Sequence, residues 1–156
     1  MVTIPKQMRS VPPLENGDRL SRHEFERRYQ AMPQVKKAEL IEGVTYIGSL
    51  PRIKSHSESC GNIVCWLGTY RAFTPNVVLG DNPTVRLDSD NEPQPDAVLF
   101  IPGRQATIST DDYIEGAPEL VVEVAASTVS ICTTRNGPIV AVECKNTSFG
   151  ARWISS

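Results

Sequence analysis

Two apolar segments of this chain carry acids that a core strand would not choose. In Gln94-Pro95-Asp96-Ala97-Val98-Leu99-Phe100-Ile101 an aspartate opens an apolar run, and in Pro118-Glu119-Leu120-Val121-Val122-Glu123-Val124 a glutamate interrupts one. Each reads as a short buried strand bearing a carboxylate. A buried carboxylate is costly unless something pairs with it. Two such acids on neighbouring strands make an oxygen-rich seat for a hard divalent cation such as Mg²⁺. A cation so held polarises a phosphoryl oxygen and acidifies a bound water, which is the chemistry of phosphodiester hydrolysis. Asp96 and Glu123 are the expected metal ligands.

Those strands need a scaffold. Residues 1–19 are Pro-rich and polar and read as a flexible arm. Ser21 and Glu24 spell an S-x-x-E capping box, with Leu20 and Phe25 placed for a hydrophobic staple, so a helix is predicted from there to about Ala31, ahead of Pro33. Glu39 to Ile47 reads as two short strands around a turn at Glu42-Gly43. After a loop over 48–56, a second helix is predicted from Ser57 to Phe73, with Ile63, Trp66, Leu67, Tyr70 and Phe73 as its buried face. Short strands follow at 77–79 and 84–87, separated by an Asp81-Asn82-Pro83 turn. A polar loop then leads to the Asp96 strand. Residues 102–118 read as a loop with one helical turn near Thr110 to Tyr113, ahead of the Glu123 strand. The order predicts an α/β or α+β domain, a mixed central sheet flanked by helices.

The bulk composition sets limits on function. With 156 residues, 40% hydrophobic and 22% charged, the chain is long enough for one domain with a real core. A net charge of −2 supplies no global basic field to draw it to nucleic acid. No apolar run reaches the ~20 residues that span a bilayer, and the N-terminus has no apolar signal region, so the cytoplasm is the expected compartment. The four cysteines are then expected as thiols.

The flanks of the two acidic strands carry a resemblance. Ala38-Glu39-Leu40-Ile41-Glu42-Gly43-Val44, the stretch from Pro51 to His56, Gln94-Pro95-Asp96, and Gly116 through Val124 follow one another as in the Uma-two family of putative restriction endonucleases, within the PD-(D/E)xK nuclease superfamily. The resemblance covers residues 20–130. It implies a restriction-endonuclease-like fold and a Mg²⁺- or Mn²⁺-dependent endodeoxyribonuclease, a hydrolase acting on ester bonds, with DNA as substrate, no membrane partner, and homodimerisation left open. It also implies that Glu39 joins Asp96 and Glu123 as a third catalytic acid. The superfamily's lysine, which orients the attacking water, is not found at the E-x-K position, because Ala125 stands there. In the Uma-two family that lysine lies downstream in a D-x-x-D-K context, and this chain has a different text there.

Residues 131–156 read as an atypical tail, with no amphipathic helix where the family has one. Restoring a single G before the Ile131 codon yields a frame that can encode Asp-Leu-His-Asp-Lys and, later, V-Q-E-Y. The tail is therefore expected to be frameshifted, which would leave the chain without the family lysine, a helix and a final covering strand. Within the tail, Glu143 and Lys145 make a textual E-x-K and form a weaker alternative pair. Loss of the lysine-bearing helix predicts impaired cleavage. The alternative function is a non-catalytic remnant, or a DNA- or protein-binding module, on the same fold.

Other chemistries find less support. Cys60, Cys65, Cys132 and Cys144 have poor spacing for a structural zinc site even with His56, and Cys60 and Cys65 are expected to pack as small apolar groups on the second helix. No G-x-S-x-G nucleophile elbow, phosphate loop or G-x-G-x-x-G is present. Arg19, Arg22, Arg27, Arg28, Lys36 and Lys37 give the N-terminal third a basic bias, read as a solvated helix face rather than a phosphate-binding one.

Overall fold

The computed structural model describes residues 11–48, 56–125, 139–143 and 150–151. The order is α1 (Arg22–Gln30), β1 (Ala38–Ile41), β2 (Val44–Ile47), α2 (Glu58–Ala72), β3 (Val78–Asp81), β4 (Val85–Arg86), β5 (Ala97–Phe100), β6 (Ala106–Ile108), β7 (Ile114–Gly116), β8 (Leu120–Ala125), β9 (Ile139–Glu143) and β10 (Gly150–Ala151). The strands form a β1-β2 hairpin, a five-stranded sheet ordered β10-β9-β8-β5-β3, and a three-stranded sheet ordered β4-β7-β6. The larger sheet is mixed, since β8 and β9 run parallel while the other pairs are antiparallel. This is the α+β class read from the sequence. No helix among the described residues is long and apolar enough to cross a membrane.

Strand alternation sorts the central side chains onto two faces. Ala97 and Leu99 of β5, with Val122 and Val124 of β8, pack against Ile63 and Leu67 of α2. Val98 and Phe100 point the other way and meet Val85, Ala106 and Ile114 of the small sheet. Strand β5 is therefore buried on both sides, which explains its continuous apolar run. The β1-β2 turn is made by Glu42 and Gly43 with φ of 50° and 73°, the positive pair that a two-residue hairpin with the sheet's own twist requires.

Several details differ from the sequence reading. Ser21 caps α1 only through its backbone, and no side-chain cap bond forms. Glu24 is drawn away by two guanidiniums, with Arg27 Nε at 2.7 Å and Arg28 Nε at 2.7 Å. The staple does form, since Leu20 packs in the cluster around Phe25. The inner end of the Pro-rich N-terminal stretch is tied down: Leu14 is 3% exposed, Gly17 N–H donates to Thr45 O at 2.8 Å, and Leu20 N–H donates to Gly43 O at 2.8 Å.

The buried face of α2 is Cys60, Ile63, Val64 and Leu67. Trp66, Tyr70 and Phe73, expected inside, are 59%, 52% and 84% exposed. Both stripes have helical spacing, and the narrow gap over β5 and β8 admits the smaller set. Where a loop with a helical turn was expected between 102 and 118, β6 and β7 form a hairpin. Its tip is closed by Ser109, whose Oγ accepts from Tyr113 N–H at 3.0 Å. Its base depends on Gly116, with φ of 93°, where a Cβ would run into the Gln105 carbonyl. A covering strand follows β8 as well: β9 lies parallel to it, with Glu123 in register with Ala141 and Ala125 with Glu143. The tail thus supplies a strand that the frameshift reading had expected to be missing. Residues 126–138, where the family helix would fall, lie outside the described residues.

A buried charge network joins α1 to the small sheet. Arg86, 9% exposed, sits 2.8 Å from Glu26, 2.9 Å from Asp111 and 3.1 Å from Glu115. Its guanidinium also lies 4.2 Å over the Tyr113 ring. Removing one partner of a buried ion cluster leaves the others uncompensated. Arg86→Met is therefore expected to destabilise the fold by about 3–5 kcal/mol, measured by urea unfolding. Burial, and then the hydrogen-bonded Glu26 carboxyl, push the neighbouring Glu92 carboxyl up from 4.5 to about 8. The folded state thus keeps a proton that the unfolded chain releases. This contribution to stability is full below pH 4.5 and is lost as pH rises through about 8. The melting temperature should fall across that window, and Glu92→Gln should flatten the fall; an equal slope in both proteins would refute the assignment.

Candidate metal centre

The antiparallel register of β5 and β8 pairs Ala97 with Val122. Asp96 immediately precedes one member of this last pair, and Glu123 immediately follows the other. Asp96 is only 2% exposed, and its burial has a specific cause. Strand β5 begins at Ala97, so the Val124 N–H lacks a backbone acceptor there. Asp96 Oδ2 takes that N–H at 2.6 Å. Its other oxygen, Oδ1, faces His56 Nε2 at 3.3 Å. His56 precedes α2 and turns its second nitrogen, Nδ1, toward Val124 O at 3.1 Å. Both backbone polar groups of Val124 are thereby held, the N–H by Asp96 and the carbonyl by His56.

Glu39 reaches the same region from β1. Its Oε1 accepts the Gln94 N–H at 2.7 Å, fixing the loop that delivers Pro95 and Asp96 to the sheet. Leu40 and Glu92 exchange backbone hydrogen bonds of 3.1 and 2.8 Å beside it. Glu123 lies within the field of both acids. Burial first, then the charges of Asp96 and Glu39, push its carboxyl up from 4.5 to about 8, and the Lys37 ammonium opposes them. Lys37 stands two residues before Glu39, on the same face of an extended backbone. Its stem runs over Gly48, where a Cβ would come within 3.2 Å of the Lys37 Cβ and Cγ.

The structure thus brings Asp96, Glu123 and Glu39 into one electrostatic neighbourhood. The tighter cluster is different. Among the described residues, the three groups whose ligand atoms all lie within 4.8 Å of one another are His56, Cys60 and Asp96. Cys60 is half-buried while Cys65 is exposed. Burial, then the Asp96 charge, push the Cys60 thiol up. Sequence reasoning set His56 and Cys60 aside; their four-residue spacing at a helix start was visible, but the Asp96 that completes the cluster lies far along the chain. The Glu143 side chain and all of Lys145 lie outside the described residues. The basic residues of α1 are largely neutralised: Glu24 holds Arg27 and Arg28, and Arg22 lies 3.6 Å from Glu26.

The fold is restriction-endonuclease-like. It is similar to the crystal structure of a protein from Anabaena variabilis described as a "putative nuclease belonging to DUF820", with a TM-score of 0.53 and 14% sequence identity, over 75% of this chain and 72% of that one. That likeness is one of fold. In sequence, residues 22–135 match the Uma2 family, "Putative restriction endonuclease", and the chain belongs to this family. Among curated proteins no sequence matches it.

The Asp96 carboxylate carries a structural load that can be separated from its charge. Asparagine keeps an oxygen for the Val124 N–H, and leucine does not. Asp96→Leu should be about 1–3 kcal/mol less stable than Asp96→Asn, the cost of a stranded buried donor, read by urea unfolding in the presence of a chelator. Equal stabilities would show that the bond contributes nothing.

Proposed function

We propose that this chain is a Mg²⁺- or Mn²⁺-dependent hydrolase of DNA phosphodiesters acting in the cytoplasm, with Asp96 and Glu123 as metal ligands and Glu39 as the third acid. The observation that carries the reading is the buried Asp96 at the end of the β5–β8 pairing, with its charge acting on Glu123, in a restriction-endonuclease-like fold. An all-carboxylate pair suits a hard cation, and the burial and then the repulsion that hold a proton on Glu123 are what a bound cation would offset. When bound, the metal would supply Lewis-acid polarisation of the phosphate and a more acidic water. The chain's own part is positional. Glu39 sets the Gln94–Asp96 loop, and the Val124 N–H orients Asp96. His56 bonds the Val124 carbonyl and holds the end of β8 against the start of α2.

The lysine role is weakly furnished. Ala125 stands where an E-x-K lysine would be. Among the described residues, Lys37 is the ammonium whose charge reaches Glu123, and we assign it the orienting role in a site of reduced activity. A second copy of the chain is the one protein partner this reading leaves open.

A metal that binds only the folded state raises its stability, by about 2.7 kcal/mol at 100 times Kd. Mg²⁺ or Mn²⁺ should therefore raise the melting temperature of the native chain and not that of Asp96→Asn. The native chain should also nick supercoiled DNA slowly, Asp96→Asn should not, and Lys37→Met should be slower still than the native chain. Metal stabilisation without nicking would favour the alternative reading, a non-cutting binding module on the same fold. No metal response in either protein would overturn the metal centre.

A further inference from the structure

The His56–Asp96 contact poses a problem of hydrogen-bond chemistry. Val124 O is a carbonyl and can only accept, so His56 Nδ1, 3.1 Å away, carries the ring proton. In the neutral ring Nε2 is then a lone pair. It faces Asp96 Oδ1, also a lone pair, at 3.3 Å. That contact is satisfied either by a second ring proton, which makes an imidazolium–carboxylate pair, or by a metal cation between the two atoms. The third member of the cluster is the Cys60 sulfur, within 4.8 Å of both.

We propose that His56, Cys60 and Asp96 form a three-ligand site for a borderline-soft divalent cation of the Zn²⁺ type, distinct in chemistry from the all-carboxylate set of Asp96 and Glu123. Tetrahedral Zn²⁺ with N and O ligands at about 2.0–2.2 Å separates them by about 3.3–3.5 Å, which is the His56–Asp96 spacing found. Cys60 is four residues after His56, so both project from the same side of the α2 start. The Val124 carbonyl fixes the tautomer and ring plane of the histidine, the usual outer support of a metal-bound imidazole. The Val124 N–H does the same for the aspartate by occupying Oδ2 and leaving Oδ1 free. Three protein ligands leave a fourth position open for water or an added ligand. The inference rests on this geometry and not on the nuclease reading.

The test uses Co²⁺ as a coloured stand-in for Zn²⁺. In the variant carrying Cys65→Ser, Cys132→Ser and Cys144→Ser, Cys60 is the sole thiol. Adding Co²⁺ should produce a thiolate-to-cobalt charge-transfer band that saturates at one equivalent and is bleached by Zn²⁺. Adding Cys60→Ser should remove the band. His56→Gln should weaken Co²⁺ binding at least tenfold while the thiol remains. Absence of the band in the folded parent, or a band whose affinity ignores His56→Gln, would overturn the site. If the triple substitution unfolds the chain, the native protein and its Cys60→Ser variant are compared alone: a weakened band supports the site, and an unchanged one overturns it. DNA cleavage is not read in any arm, so this result and that of the nuclease test are separable.

Discussion

The backbone of Val124 is the point on which the site hangs. Where β5 begins, its backbone no longer reaches the last stretch of β8, and two side chains take over. Asp96 Oδ2 accepts the N–H and His56 Nδ1 meets the carbonyl. One residue's backbone therefore fixes the aspartate rotamer, the imidazole plane, the end of β8 and the approach of α2. The arrangement keeps a carboxylate inside the protein at low cost, because one of its oxygens replaces a missing ladder bond. Among the described residues, the donor that faces the other oxygen is His56 Nε2, when that nitrogen carries a proton. A buried acid with one satisfied and one waiting oxygen is structurally tolerable and chemically incomplete.

Glu39, Asp96 and Glu123 could be read from the sequence because each depends on local rules. An acid in a strand of apolar neighbours stands out by alternation, and Glu42-Gly43 announces the hairpin that delivers Glu39. The helix faces were harder. Ile63 and Leu67 belong to both candidate stripes of α2, so periodicity alone could not choose between Cys60 and Val64 on one side and Trp66, Tyr70 and Phe73 on the other. The choice was made by the width of the gap over β5 and β8, a tertiary quantity. The β6–β7 hairpin escaped notice because its strands are three residues each and are held by hydroxyl and carboxylate bonds rather than by an apolar pattern. The Arg86 network was illegible for a different reason: its members come from α1, β4, β7 and the loop between β6 and β7, and nothing in any one segment marks the others.

The two buried-charge systems differ in purpose. Around Arg86 the charges are paired by contact: Arg86 lies within 3.1 Å of Glu26, Asp111 and Glu115, and Arg22 lies within 3.7 Å of Glu26 and Glu115. Around Glu123 the Lys37 ammonium opposes the acids through its field, and among the described residues it makes no contact ion pair with them. The first can be explained by packing and pairing within the chain. The second relieves its crowding of acids by keeping a proton on Glu123. That contrast, within one small domain, separates a structural ion cluster from a candidate cation seat more clearly than either does alone.

The protons held on Glu92 and Glu123 also alter how the molecule behaves as a colloid. The formal charge of −2 counts both groups as ionised, yet both carboxyls are pushed to about 8. Near neutral pH, without metal, the folded protein is therefore close to isoelectric. Repulsion between molecules is weakest at that point, and the exposed Trp66, Tyr70 and Phe73 stripe is free to drive self-association. Solubility should be poorest in the range where the protein would be handled and should recover on the alkaline side, as the two acids finally ionise.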